Sequence, residues 1–126
     1  MSAKRVLSVG QCGADHGGIA RTLRQAFGAE VVPAEGADLA VQELRQKDYA
    51  LVLVNRVFDA DGGSGVDLIR RLKSEAALAS VPVMLVSNYD DAQKEAEAAG
   101  ALPGFGKASL GRPQMLERLR PYLAGG

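Results

Sequence analysis

The chain has no tryptophan, one cysteine and one histidine, and only 5% of its residues are aromatic. A single thiol, Cys12, excludes an internal disulfide and fits a reducing compartment. Cys12 and His16 stand four residues apart and provide two metal ligands at most, short of the four a structural zinc requires. As a nucleophile and base they lack any orienting partner legible in the sequence, which favours ordinary loop residues. An excess of one charge is also missing: fifteen Lys+Arg balance fifteen Asp+Glu. There is no basic field to gather a phosphate backbone, so direct nucleic-acid binding is not expected. Apolar runs reach only a strand's length, far below the roughly 20 residues that span a bilayer. The N-terminal MSAKRVLSVG enters a strand pattern without a long apolar region or a small-residue cleavage site. These absences predict a cytoplasmic protein with no membrane association.

What is present is ordinary globular composition. Of 126 residues, 47% are hydrophobic and 24% charged, enough for one core and too little for two, so a single domain over 1–126 is expected. Five strand candidates, RVLSV, AEVVP, YALVLVN, VPVMLVS and the weaker ALPGF, each precede a helical segment. That alternation predicts an α/β domain with a parallel sheet covered on both faces. The third and fourth candidates are continuous apolar runs, as strands buried on both sides should be.

Helical stripes match this layout: Ile19, Leu23 and Phe27; Ala40, Val41 and Leu44 after a candidate Asp38 cap; Leu68, Ile69 and Leu72; Met115, Leu116, Leu119 and Leu123. The fourth helix, DDAQKEAEAAG, offers only alanines to the core and is expected to be the loosest element. Pro113 suits a first helical turn, and Pro121 should end or kink the last helix near its final turn.

Ligands of an open parallel sheet gather beyond the carboxyl ends of its strands. The endings here are Gly10 and Gln11 after the first strand, Asn55 after the third, Ser87 and Asn88 after the fourth, and Lys107 beyond the fifth.

The segments KRVLSVG, YALVLVN, GVDLIRRLK, VPVMLVSNYDD and AAGALPGFGKASL are spread over essentially the full length of the chain. Together they resemble the receiver domain of bacterial response regulators. The resemblance implies a three-layer flavodoxin-like (βα)5 fold with five parallel strands in the order 2-1-3-4-5. It also implies a signalling role, with a protein partner docking on the face of the fourth helix, fifth strand and fifth helix.

The family pattern is an acidic pair after strand one, a phosphoacceptor aspartate after strand three, Ser or Thr after strand four and Lys after strand five. Ser87 and Lys107 keep that pattern. Gly10 and Gln11 stand in place of the acidic pair, and Asn55 in place of the phosphoacceptor. Ala108 replaces the usual proline, Gly104 stands where an aromatic switch residue is common, and the loop after Asn55 is about two residues longer than usual.

These departures carry chemical consequences. Phosphoryl transfer to a carboxylate needs an anionic nucleophile and a divalent cation held largely by carboxylates. An amide is a poor nucleophile and a weaker ligand, so neither metal, cofactor nor catalysis is expected, and the chain reads as a pseudo-receiver acting by protein–protein interaction without phosphorylation.

Two other readings stay open. Asp59 and Asp61, four and six residues past Asn55, are candidate substitute carboxylates for an atypical phosphorylation, against their role as plain turn residues. Anion or small-molecule binding at the sheet edge is the other, using Ser87, Lys107 and a Gly10–Gly18 loop whose glycines let backbone amides approach an anion. Lys107 is equally a solvated lysine or one paired with Asp59 or Asp61. Replacing Asn55, Gly10 and Gln11 with aspartate is expected to supply the missing Mg²⁺ ligands.

Overall fold

A computed structural model describes residues 3–124. Five strands alternate with five α-helices: β1 Arg5–Val9, α1 Gly13–Phe27, β2 Glu30–Ala34, α2 Ala37–Gln46, β3 Leu51–Asn55, α3 Gly65–Ser74, β4 Val83–Val86, α4 Asp90–Ala98, β5 Leu102–Phe105 and α5 Pro113–Leu123. A short 3₁₀ turn, Lys107–Ser109, separates β5 from α5. The strands form one parallel sheet in the order β2-β1-β3-β4-β5, the flavodoxin-like arrangement.

Strand alternation divides the core in two. Leu7, Val9, Val52, Val54, Val83 and Leu85 face α2, α3 and α4, where they meet Ala40, Val41, Leu44, Leu68, Ile69 and Leu72. Val6, Leu51, Leu53, Met84 and Val86 face the other way, onto Ile19 and Leu23 of α1 and Met115, Leu119 and Leu123 of α5. Because β1, β3 and β4 are covered on both faces, they carry apolar residues at successive positions instead of every second one.

Each edge strand contains a proline, Pro33 in β2 and Pro103 in β5. On β2 the ladder to β1 uses Glu30 N–H and Ala34 C=O, so the position of Pro33 points to the open edge, where its missing donor costs nothing and discourages a further strand.

The helix ends differ in places from the sequence expectation. Helix α2 begins at Gly36 as cap, and Asp38 sits inside its first turn, where it pairs with Arg71 at 2.9 Å. Helix α5 ends at Leu123, two residues past Pro121, so the proline falls in the final turn as expected and forfeits only one bond there. Helix α1 starts at Gly13, so most of the Gly10–Gly18 stretch is helix and not loop. Cys12 caps that helix, its Sγ accepting from Asp15 N–H at 3.5 Å. Burial of Ile19 and Leu23 outweighs the poor helix propensity of the glycines.

Helix α4 buries only Ala96, but it has a polar anchor that the apolar pattern does not reveal. Gln93 Nε2 donates to Leu85 C=O at 2.9 Å and Ser87 C=O at 3.0 Å, and its Oε1 accepts from Gly104 N–H at 3.2 Å. The register between β4 and β5 shifts at this point, so the Gln93 carboxamide supplies bonds the ladder does not. A Cβ on Gly104 would lie 2.1 Å from Leu85 O, which is why glycine occupies the position where the family commonly carries an aromatic.

Replacing Gln93 with Ala strands these backbone groups and should cost about 2 kcal/mol, read as a lower urea midpoint. Hydrogen exchange should show α4 opening before α1 and α3 in the parent and faster still in the variant.

Candidate functional site at the strand ends

Asn55 ends β3 with its carboxamide turned toward β1. Its Nδ2 donates to Gly10 C=O at 3.0 Å and to Val57 C=O at 2.7 Å. Both partners are acceptors, so the group between them must be a donor. A carboxylate there would present oxygen to oxygen, and the amide is therefore what the local backbone demands.

Gly10 is the hub of this arrangement. Its N–H donates to Ala34 C=O at 2.8 Å, and its C=O accepts from Asp59 N–H at 3.0 Å as well as from Asn55. Its φ of 74° lies in the left-handed region, and a Cβ would stand 2.2 Å from the Phe58 ring. Aspartate at position 10 is thus opposed by backbone and by volume, and the expectation that it would complete a Mg²⁺ site is corrected on that ground.

Phe58 is buried in the core cluster on the α2–α3 side. The loop holds it there by folding on itself: Phe58 N–H donates to Gly63 C=O and Gly62 N–H to Phe58 C=O, both at 2.8 Å, and Val57 bridges to Ser64.

The candidate substitute carboxylates are committed to the same turn. Asp61 Oδ1 accepts from Gly63 N–H at 2.8 Å, and its other oxygen lies beside Gly36 at the start of α2. Asp59 is exposed and tied in through its backbone.

Neither aspartate reaches Lys107. The lysine pairs with Asp15, in the first turn of α1, at 2.6 Å. The hydrogen bond from Lys107 holds the Asp15 carboxyl below its ordinary range; partial burial opposes this, while Cys12 and the lysine's charge reinforce it. Asp15 lies outside the positions where the family places its acids and was not anticipated, because helical phasing alone does not say which first-turn side chain faces a loop ninety residues on.

Ser87 and Lys107 do come together with Asn55, lining an open pocket of about 390 Å³ beyond β3 and β4 that Arg56, Asn88 and Tyr89 complete. Ser87 Oγ accepts from Tyr89 N–H at 3.2 Å, leaving its O–H as a donor. Asn88 Oδ1 accepts from Ala108 N–H at 3.1 Å, leaving its NH₂ as a donor. Arg56 stacks over the Tyr89 ring at 5.0 Å.

Gln11 does not join the pocket; its amide atoms are enclosed without a partner, as is His16 Nδ1. His16 meets Cys12 through a backbone bond. Among the described residues no group of three or more His, Cys, Asp or Glu is placed to hold a metal, and no helix is long and apolar enough to cross a membrane.

This fold is shared with response-regulator receiver domains. A Chloroflexus aurantiacus protein assigned as a response regulator superposes with a TM-score of 0.85 at 18% identity, over 97% of this chain and 98% of its own. The signal receiver domain of the DNA-binding response regulator merR from Colwellia psychrerythraea matches at 0.78 and 21%, over 94% and 96%. NtrX from Brucella abortus matches at 0.80 and 20%, over 97% of this chain but 27% of its own. No protein-family profile matches the chain, and no curated protein matches its sequence.

Two substitutions test the site. Asn55→Asp should cost about 2 kcal/mol at pH 7, because an anion then faces two carbonyl oxygens. Those oxygens raise the folded-state pKa of the new carboxyl, and the protonated form donates one bond. The loss relative to the parent should therefore shrink toward pH 4, approaching the unfolded carboxyl value of about 3.9, and be full above the raised folded value; paired melts at the two pH values measure it.

For Asp15→Asn the sign is opposite. The depressed folded pKa means the bridge contributes above the unfolded value and fades as pH falls through the folded one. Since both partners are partly exposed, the cost at pH 7 should be about 0.5–1 kcal/mol, vanishing in strong acid.

Proposed function

We propose that this chain is a receiver-like signalling module that works without an aspartyl-phosphate step and acts through contacts with another protein. The observation that carries this reading is the donor role of the Asn55 carboxamide, which bonds two carbonyls at the position where a phosphoacceptor would need a free carboxylate. Receiver domains generally work by contacting other signalling proteins, and the docking face expected here consists of α4, β5 and α5. An open groove of about 500 Å³ lies on it, bordered by Gln93, Glu97, Pro103, Gly104, Gln114 and Arg118. Arg118 donates to Gly104 C=O across its floor.

On this reading the protein is not an enzyme. Its partner chemistry does not depend on Mg²⁺, and Asp59 and Asp61 serve the loop instead of receiving phosphate.

Incubation with acetyl phosphate and Mg²⁺, followed by intact mass measurement, should leave the protein unmodified. A stable gain of one phosphoryl group overturns the proposal, and a map of that group to Asp59 or Asp61 would assign the chain an atypical phosphorylation. In parallel, Glu97→Arg with Gln114→Arg, both on the groove, should abolish capture of a partner from the native cell while the melting temperature stays within a few degrees; undiminished capture removes the groove from the proposal.

A further inference from the structure

Among the described residues only three large apolar side chains are substantially exposed, and two of them, Val57 at 43% and Tyr89 at 60%, flank Arg56 beside the strand-end pocket. Tyrosine and arginine are among the residue types that most often anchor protein interfaces, and here the two are paired at a pocket mouth.

The pocket behind the platform is rich in donors. Asn88 NH₂, Ser87 O–H, the Arg56 guanidinium and the Lys107 ammonium can all donate, Asn55 adds an acceptor because its NH₂ hydrogens are taken by the Gly10 and Val57 carbonyls, and no carboxylate lines it. Asp15 takes one hydrogen of Lys107 and offsets its charge, which leaves Arg56 as the source of net positive charge; no ion pair engages Arg56 among the described residues. Stacking on Tyr89 fixes the guanidinium plane while its edge stays free for a two-point bond to a carboxylate. Asp91 and Glu95 border the adjoining hollow on the other side of this platform, so they repel an acid there and favour the Lys107 side.

We infer that this pocket receives a carboxylate side chain, Asp or Glu, of a partner protein, with Arg56 as its ion partner and Val57 and Tyr89 covering apolar residues next to it. The occupant is an acidic peptide segment and not a free anion, because the exposed apolar pair at the rim has no use in binding a small hydrated ion. This surface goes beyond the α4–β5–α5 groove and shares only Ser87 and Asn88 with it, so either can fail while the other stands.

The test is selection of a displayed random peptide library on the full chain, followed by NMR titration of the enriched peptides. The expected outcome is an Asp or Glu at a fixed position beside an apolar residue, with shifts at Arg56, Tyr89 and the Asn55 side-chain amide. Affinity should fall tenfold or more on changing that acid to its amide, and equally on Arg56→Gln, an exposed substitution whose fold is checked by its own spectrum. Arg56→Lys should restore only part of the affinity, since the two-point bond is lost. Enrichment without an acid, peptides that shift only the α4–β5–α5 groove, or no enrichment at all overturns the inference. So does inorganic phosphate alone producing the same shifts in the parent and in Tyr89→Ala, which would make the pocket a small-anion site.

Discussion

Two hydrogen bonds from one carboxamide organise the functional end of this protein. Asn55 ties the end of β1 to the loop that leaves β3, and it can do so only because its NH₂ offers two donors to two carbonyls. Once Gly10 is held this way, its left-handed backbone and the Phe58 ring packed against it exclude any side chain at that position. The amide at position 55 and the glycine at position 10 are therefore one structural arrangement. A side chain introduced at either alone meets resistance from the other.

The charges follow the same local geometry. A lysine that would otherwise stand unpaired beside an uncharged amide finds Asp15 across the sheet edge, tying the start of α1 to the turn after β5. Arg56 then becomes the unneutralised cation at the pocket, held flat by Tyr89. The result is a donor-rich hollow that no carboxylate lines, with Asp15 paired to Lys107 and Asp61 engaged in its own turn.

Helix α4 illustrates how a weak apolar stripe is compensated. Alanines bury little surface, yet one glutamine bonded to both β4 and the β5 bulge holds the helix in register. The same bulge forces glycine at position 104. A side chain there is excluded by the proximity of the β4 backbone.

The sequence by itself determined the architecture: continuous apolar runs in β3 and β4, stripes such as Leu68, Ile69 and Leu72, and the alternation of the two periods leave a covered parallel sheet as the arrangement that buries them all. It also located the strand ends and the uncharged residues that close them, Gly10, Asn55 and Ser87, because identity at a strand terminus is a local property. Only the tertiary structure decided which acid meets Lys107, that Phe58 turns inward from an acidic glycine loop, and that Gly13–Gly18 joins a helix. Each depends on contacts between segments tens of residues apart, or on burial outweighing local propensity, and neither is encoded in the spacing of neighbouring residues.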